Sequence, residues 1–204
     1  MAHKQAIIVA AAHGAFLATG YSVASVNHIA ADAGVSIKTL YRHFSSKEDL
    51  FDAVIQSACS DARAAGQSQA DDTDPDWYAL APATALREAG AAYLHHVLSP
   101  DQLGLYRVVI ADAWRIPDLG TRYAEATLRV AETLFVGYVD VWADKAGWKI
   151  TDKRQAARLF CGLLRMQIFE VTLFGMATPS ADEIASCAER AAQRMLTLLE
   201  QGDC

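Results

Sequence analysis

The chain has 204 residues, of which 52% are hydrophobic, and a formal net charge of −6 at pH 7. That apolar content supports a sizeable core and excludes a disordered chain, while no run of about 18 uncharged apolar residues suggests a transmembrane helix. The acidic balance excludes a protein that coats nucleic acid non-specifically. The charge is uneven, however: residues 1–50 hold Lys4, Lys38, Arg42 and Lys47 against Asp32, Glu48 and Asp49, a net of +1, which leaves −7 for the rest.

Met1-Ala2-His3-Lys4 leads into Ala-rich sequence with no signal-peptide cleavage pattern, so a cytoplasmic protein is expected. Scarce proline, abundant alanine and the absence of β-branched alternation predict helix after helix. The first runs from Lys4 to Ala18 on a stripe of Ile8, Ala12 and Phe16, flanked by Ala11 and Ala15, and Gly20 stops it. Ser25 is placed to cap a short second helix ending near Asp32, and Ser36 a third from Ile37 to His43. Ser45-x-x-Glu48 or Ser46-x-x-Asp49 opens a fourth that continues to Ala65. The stretch Gly66 to Asp76, with four Asp residues and Pro75, reads as a loop. Further helices are expected over Trp77–Leu98, Pro100–Arg115, Pro117–Lys145 and Asp152–Phe174, and Ser180-x-x-Glu183 boxes a final one that ends near Glu200.

Two short helices joined through Gly34 form a helix-turn-helix pattern. Ala30 is small where the helices must cross, and Ile29, Val35, Leu40 and Phe44 supply a small core. Lys38, Thr39 and Arg42 fall on the opposite side of the third helix, where donors of this kind read base edges in a major groove. Ile37 either packs inward or meets a thymine methyl, and its spacing to Leu40 and Tyr41 favours packing. By pattern alone, a helical hairpin with a solvated polar face remains the alternative.

Residues Ile7–Val54 resemble the DNA-binding domain of the tetracycline-repressor (TetR) family. The resemblance rests on Ala15-Phe16 with Gly20-Tyr21, Ile29-Ala30, Ala33-Gly34-Val35-Ser36, Thr39-Leu40-Tyr41-Arg42-His43-Phe44 and Ser46-Lys47-Glu48-Asp49-Leu50. It implies that Ser25 caps its helix and touches a phosphate. It also implies that Lys38 and Thr39 read bases, that Tyr41, His43 and Lys47 grip the backbone, and that Arg42 does either. Ser36 joins this DNA-contacting set. The stretch Leu105–Gly120 is similar to the AefR-like subgroup of TetR effector domains, whose usual acidic residue stands here as Asp112.

The C-terminal part carries no catalytic constellation: no G-x-S-x-G, no P-loop and no H-E-x-x-H. No metal site is expected, since His95-His96 lacks Cys or Glu partners at ligand spacing. Cys59, Cys161, Cys187 and Cys204 are isolated and read as reduced, mostly buried thiols. Trp114, Phe135, Trp142 and Phe169 are candidate linings of a ligand pocket, with Tyr93, Tyr106, Arg107 and Gln167 as polar anchors. The final helix shows apolar stripes at Ile184, Cys187/Ala188, Ala191, Met195 and Leu198, and at Ala185, Ala192, Leu196 and Leu199. A helix apolar on two sides is buried on two sides, which predicts a homodimer.

These readings converge on an all-α protein. Residues 1–50 form a three-helix helix-turn-helix domain, and residues 51–204 a helical effector-binding and dimerisation domain. The expected function is transcriptional repression at an inverted-repeat operator in double-stranded DNA, relieved by a small apolar or aromatic molecule, with no cofactor. One alternative is a regulator of the same fold that senses oxidation through cysteine. Another is a helical enzyme or adaptor that does not bind DNA.

Overall fold

The structure, a computed structural model, describes residues 2–65 and 75–202. Most of the expected Gly66–Asp76 loop, and Cys204, lie outside the described residues. Ten α-helices occur among the described residues: α1 (Ala2–Thr19), α2 (Val26–Asp32), α3 (Ile37–His43), α4 (Lys47–Ala65), α5 (Pro82–Val97), α6 (Pro100–Asp112), α7 (Leu119–Ala146), α8 (Lys153–Arg165), α9 (Phe169–Leu173) and α10 (Ala181–Gln201). A single turn of 3-10 helix spans Asp76–Ala79, and no strand occurs among the described residues. None of the described helices is long and apolar enough to cross a membrane.

The chain forms two compact units. One takes residues up to Ser60 together with Pro100–Thr127, and the other takes Asp61–Ser99 with the chain from Leu128 onward. In the first unit, Ile8, Ala12 and Phe16 of α1 are fully buried. Phe16, Tyr21 and Phe51 form an aromatic trio, with centroids 5.0–5.5 Å apart. The start of α6 lies so close to α1 that a Cβ on Gly104 would sit 2.7 Å from a methyl of Leu17. Three polar fastenings tie α6 and the start of α7 to the N-terminal helices. Ser22 bonds Asp112, Arg122 pairs with Asp52, and the Gln102 amide donates to the Ala58 carbonyl at 3.2 Å.

In the second unit, α5 packs against α8 and α10, and α7 contributes Phe135, Tyr138 and Val139 to the core. The 3-10 turn is pinned to α7 by aromatic side chains. Tyr78 donates to the Leu134 carbonyl, Tyr138 to the Leu80 carbonyl at 3.2 Å, and the Trp142 indole to the Tyr78 carbonyl at 2.9 Å. Glu132, buried on α7, accepts from Arg158 of α8 at 2.6 Å.

Three sequence expectations need correction. The helix expected over Trp77–Leu98 is broken before Pro82, which lacks an N–H and biases Ala81 away from helical backbone; Ala81 has ψ 150°. The chain turns through Ala113–Asp118 before α7 begins at Leu119, so Pro117 lies outside the helix it was expected to open. The helix expected over Asp152–Phe174 divides at Met166–Ile168, where the Ile168 N–H bonds back three residues to the Arg165 carbonyl at 3.3 Å. No proline or glycine marks that break.

Caps separate real from nominal signals. Ser180 and Glu183 close a reciprocal capping box at α10, whereas Ser25 holds the N-cap position of α2 without a side-chain cap bond. Ser180→Ala should therefore cost about 1 kcal/mol of folding stability. Ser25→Ala should stay within about 0.5 kcal/mol of the wild type. Urea denaturation of both variants checks the contrast.

Candidate nucleic-acid interface

Helix α2 ends in a closed turn. Gly34 adopts φ +65°, the left-handed region, and its N–H bonds the Ala31 carbonyl at 3.0 Å. The Val35 N–H bonds the Ala30 carbonyl, also at 3.0 Å. This pair of bonds is a Schellman closure, and it needs a residue without the steric cost of a Cβ at its left-handed position. Ser36 then caps α3 by accepting from the Thr39 N–H at 3.1 Å, and its hydroxyl lies 2.9 Å from that of Thr39.

Ile29, Leu40 and Phe44 are buried, as expected, and Val35 is half-buried. With that side committed to the core, α3 turns Ile37, Lys38, Tyr41 and Arg42 to solvent, with Thr39 and His43 half-exposed. Ile37 is 38% exposed, which corrects the expectation that it packs inward. It adds an apolar group beside Lys38 on the open face. Tyr41 is exposed over 50% of its surface.

Lys47 opens α4 and is held from two sides. Its ammonium donates to the Ser22 carbonyl at 3.3 Å and lies 4.7 Å from the Tyr21 ring centroid. Burial lowers the Lys47 pKa, and the carboxylates of Glu48 and Asp112 oppose that shift. Ser46 rather than Ser45 caps this helix, accepting from the Asp49 N–H at 3.0 Å. Sequence reasoning missed the partnership of Ser22 and Tyr21 with Lys47; neither lies at helical spacing from it.

Two family models cover most of the chain. That of the bacterial regulatory proteins of the tetR family matches residues 8–54, and that of the AefR-like transcriptional repressor C-terminal domain matches residues 84–198. The chain belongs to the TetR family. It is a transcriptional regulator with an N-terminal helix-turn-helix and a helical C-terminal domain.

Solved structures agree. A TetR-family transcriptional regulator of Mesorhizobium loti is similar at a TM-score of 0.78 and 25% identity, over 97% of this chain and 96% of that one. The flavonoid-responsive regulator FrrA is similar at a TM-score of 0.78 and 25% identity, over 97% of each chain. A TetR-family regulator of Pseudomonas syringae pv. tomato shares 26% identity at a TM-score of 0.67, over 96% of this chain and 95% of that one.

The residues expected to line an effector pocket of this TetR regulator fall in both units. Tyr106, Arg107 and Trp114 belong to the first. Tyr106 meets Tyr123 edge-on at 5.8 Å, and Arg107 is exposed. Trp114 is 80% exposed, with its indole donating to the Ala111 carbonyl at 3.0 Å, which departs from a lining role. Tyr93, Phe135, Trp142, Gln167 and Phe169 belong to the second. Phe135 packs on Phe160 at 5.7 Å, Trp142 stacks on Tyr138 at 6.1 Å, and the Arg165 guanidinium lies 3.6 Å from the Phe169 ring centroid. Burial raises the Tyr93 hydroxyl pKa, the neighbouring Cys161 adds to the shift, and Arg165 opposes it. Gln167 is exposed and accepts from Arg190 at 3.1 Å. Among the described residues no His, Cys, Asp and Glu side chains gather as a metal site.

The exposure of Ile37 has a direct test. Ile37→Ala should shift stability by less than about 0.5 kcal/mol, as at other surface positions. A buried isoleucine cut to alanine would lose about 2–5 kcal/mol. Denaturant titration distinguishes the two outcomes.

Proposed function

We propose that this regulator represses transcription as a homodimer bound to an inverted-repeat operator, and that a small aromatic molecule releases it. The observation that carries the DNA reading is the open face of α3, where Ile37, Lys38, Tyr41 and Arg42 stand exposed on a helix anchored by buried Leu40 and Phe44. In this reading Lys38 and Thr39 contact base edges, with Ile37 against a thymine methyl. Ser25, Ser36, Tyr41, His43 and Lys47 meet the sugar-phosphate backbone, and Arg42 meets either. A protein with this role works in the cytoplasm and carries no catalytic activity. The DNA-binding domain of residues 1–50 acts with an effector and dimerisation domain of residues 51–204.

The dimer reading rests on α8. Leu159 and Gly162 of α8 and Met166 just past its end are exposed and Leu163 is half-exposed, a stripe at helical spacing that stands open among the described residues. Leu196 and Leu198 of α10 are also only half-buried. A two-fold dimer presents two copies of α3, so the half-sites should lie about one helical turn, or a multiple of it, apart.

The effector reading rests on the aromatic content of the second unit, with Tyr93, Phe135 and Phe169 as favoured contacts. The flavonoid-responsive character of FrrA, a protein of similar fold, points to the same ligand chemistry. Oxidation sensing fits less well. Burial pushes the thiols of Cys59 and Cys161 up to about 11, and a thiol that stays protonated at neutral pH reacts slowly.

Selection of bound duplexes from a random pool should return an inverted repeat; recovery of no sequence preference would sink the operator reading. On the selected site, Lys38→Ala should cost roughly 1–3 kcal/mol and relax preference at one position. Lys47→Ala should weaken binding to all sequences and lower the salt slope by about one unit. Leu159→Glu, placing a charge in the proposed interface, should convert the dimer to monomer in light scattering and weaken operator binding with it.

A further inference from the structure

The last residue of α6 reaches the N-terminal helices through an unusually well-satisfied carboxylate. Asp112 is 7% exposed. Its Oδ2 accepts from the Ser22 N–H at 2.9 Å and its Oδ1 from the Ser22 hydroxyl at 2.6 Å. Ser22 lies between α1 and α2, 90 residues away in sequence. The same residue turns its carbonyl to the Lys47 ammonium at 3.3 Å. A chain of contacts therefore runs from the end of α6, through one serine, to the first residue of α4. It bypasses α3, since none of its members lies on that helix.

Two electrostatic observations agree with this geometry. Burial alone would raise the Asp112 carboxyl, yet the Ser22 bonds and the charge of Arg115 outweigh it and hold the carboxyl below the ordinary carboxylate range. The Asp112 carboxylate also favours the charged form of Lys47 against the effect of burial. A fixed negative charge thus stands behind the serine that holds the ammonium, and each of its oxygens accepts from Ser22.

We propose that Asp112 is a positioning residue for DNA binding: by clamping Ser22 it sets the Ser22 carbonyl and, through it, the place of the Lys47 ammonium. This rests on the reading of Lys47 as a phosphate contact. Asp112 itself touches no nucleic acid. Its influence falls on affinity for any duplex and leaves base preference alone, because Lys38 and Thr39 are positioned by Ser36 and the buried face of α3. The consequence for regulation is specific. Whatever displaces the end of α6 loosens a backbone contact first and the reading helix second.

Asp112→Asn is the informative change. It keeps the size of the side chain but removes the charge: the amide oxygen can accept from the Ser22 N–H only while the NH2 donates to a Ser22 hydroxyl that must reverse its role, so two charge-assisted bonds become neutral ones. Binding is read by fluorescence anisotropy on the selected operator and on a random duplex, across a salt series, beside thermal denaturation. Asp112→Asn should weaken both duplexes equally, by roughly threefold to tenfold, the scale of one phosphate contact. The salt slope should fall by up to about one unit, as for Lys47→Ala. In a Lys47→Ala background it should add little. Asp52→Asn, which breaks the Arg122 ion pair in the same unit without touching Lys47, should lower the melting temperature and leave the salt slope unchanged.

If Asp112→Asn does not fold, Ser22→Ala removes the hydroxyl bond alone and should show the same equal weakening on both duplexes, smaller in size. Additivity with Lys47→Ala, an unchanged salt slope, or a change in base preference overturns the proposal. Lys47→Ala without effect on DNA affinity overturns the phosphate reading beneath it. A wild-type protein that retains no duplex overturns the DNA reading altogether.

Discussion

Helix α3 has seven residues, about half the length at which an isolated helix begins to persist in water. It exists because other parts of the chain hold it. The Gly34 closure delivers the backbone at the right angle, Ser36 satisfies an orphan N–H, and burial of Leu40 and Phe44 supplies the apolar gain. Every exposed group of the reading face inherits its direction from those anchors. The aromatic trio of Phe16, Tyr21 and Phe51 performs the same service for α1 and α4, and it places the Tyr21 ring under Lys47.

The second unit solves a different problem. Its 3-10 turn closes two backbone bonds of its own, Tyr138 and Trp142 donate to two of the segment's carbonyls, and Tyr78 of the turn donates to α7 in return. Burial pushes the Tyr138 hydroxyl up to about 12, so it stays a neutral donor across the physiological range. Buried charge is held to pairs: Glu132 is matched by Arg158.

Local signals were the legible part of the sequence. The Gly34 turn, the Ser36 cap, the Asp152 cap that accepts from Arg154 and Gln155, and the Ser180–Glu183 box all act within a few residues, and each formed where the sequence placed it. Pro82 was equally local but masked by an apolar periodicity that continues across it. The break at Met166–Ile168 carries no turn residue at all. Ile37 was misjudged because a seven-residue helix offers too few positions for periodicity to separate its faces. The Ser22–Asp112 clamp was beyond reach for another reason: it joins residues 90 apart, and nothing in either neighbourhood announces the other.

The corner between α6 and α7 leaves Trp114 with 80% of its surface in water, while Trp77 and Trp148 are buried and Trp142 is hydrogen-bonded beneath Tyr78. An indole in water emits at longer wavelength than one in an apolar surround, and it is open to collisional quenchers that the buried ones escape. Because Trp114 stands two residues beyond Asp112 and its indole bonds the Ala111 carbonyl, its emission reports on the end of α6. The regulator therefore carries its own optical probe at the point where the clamp on Ser22 is made.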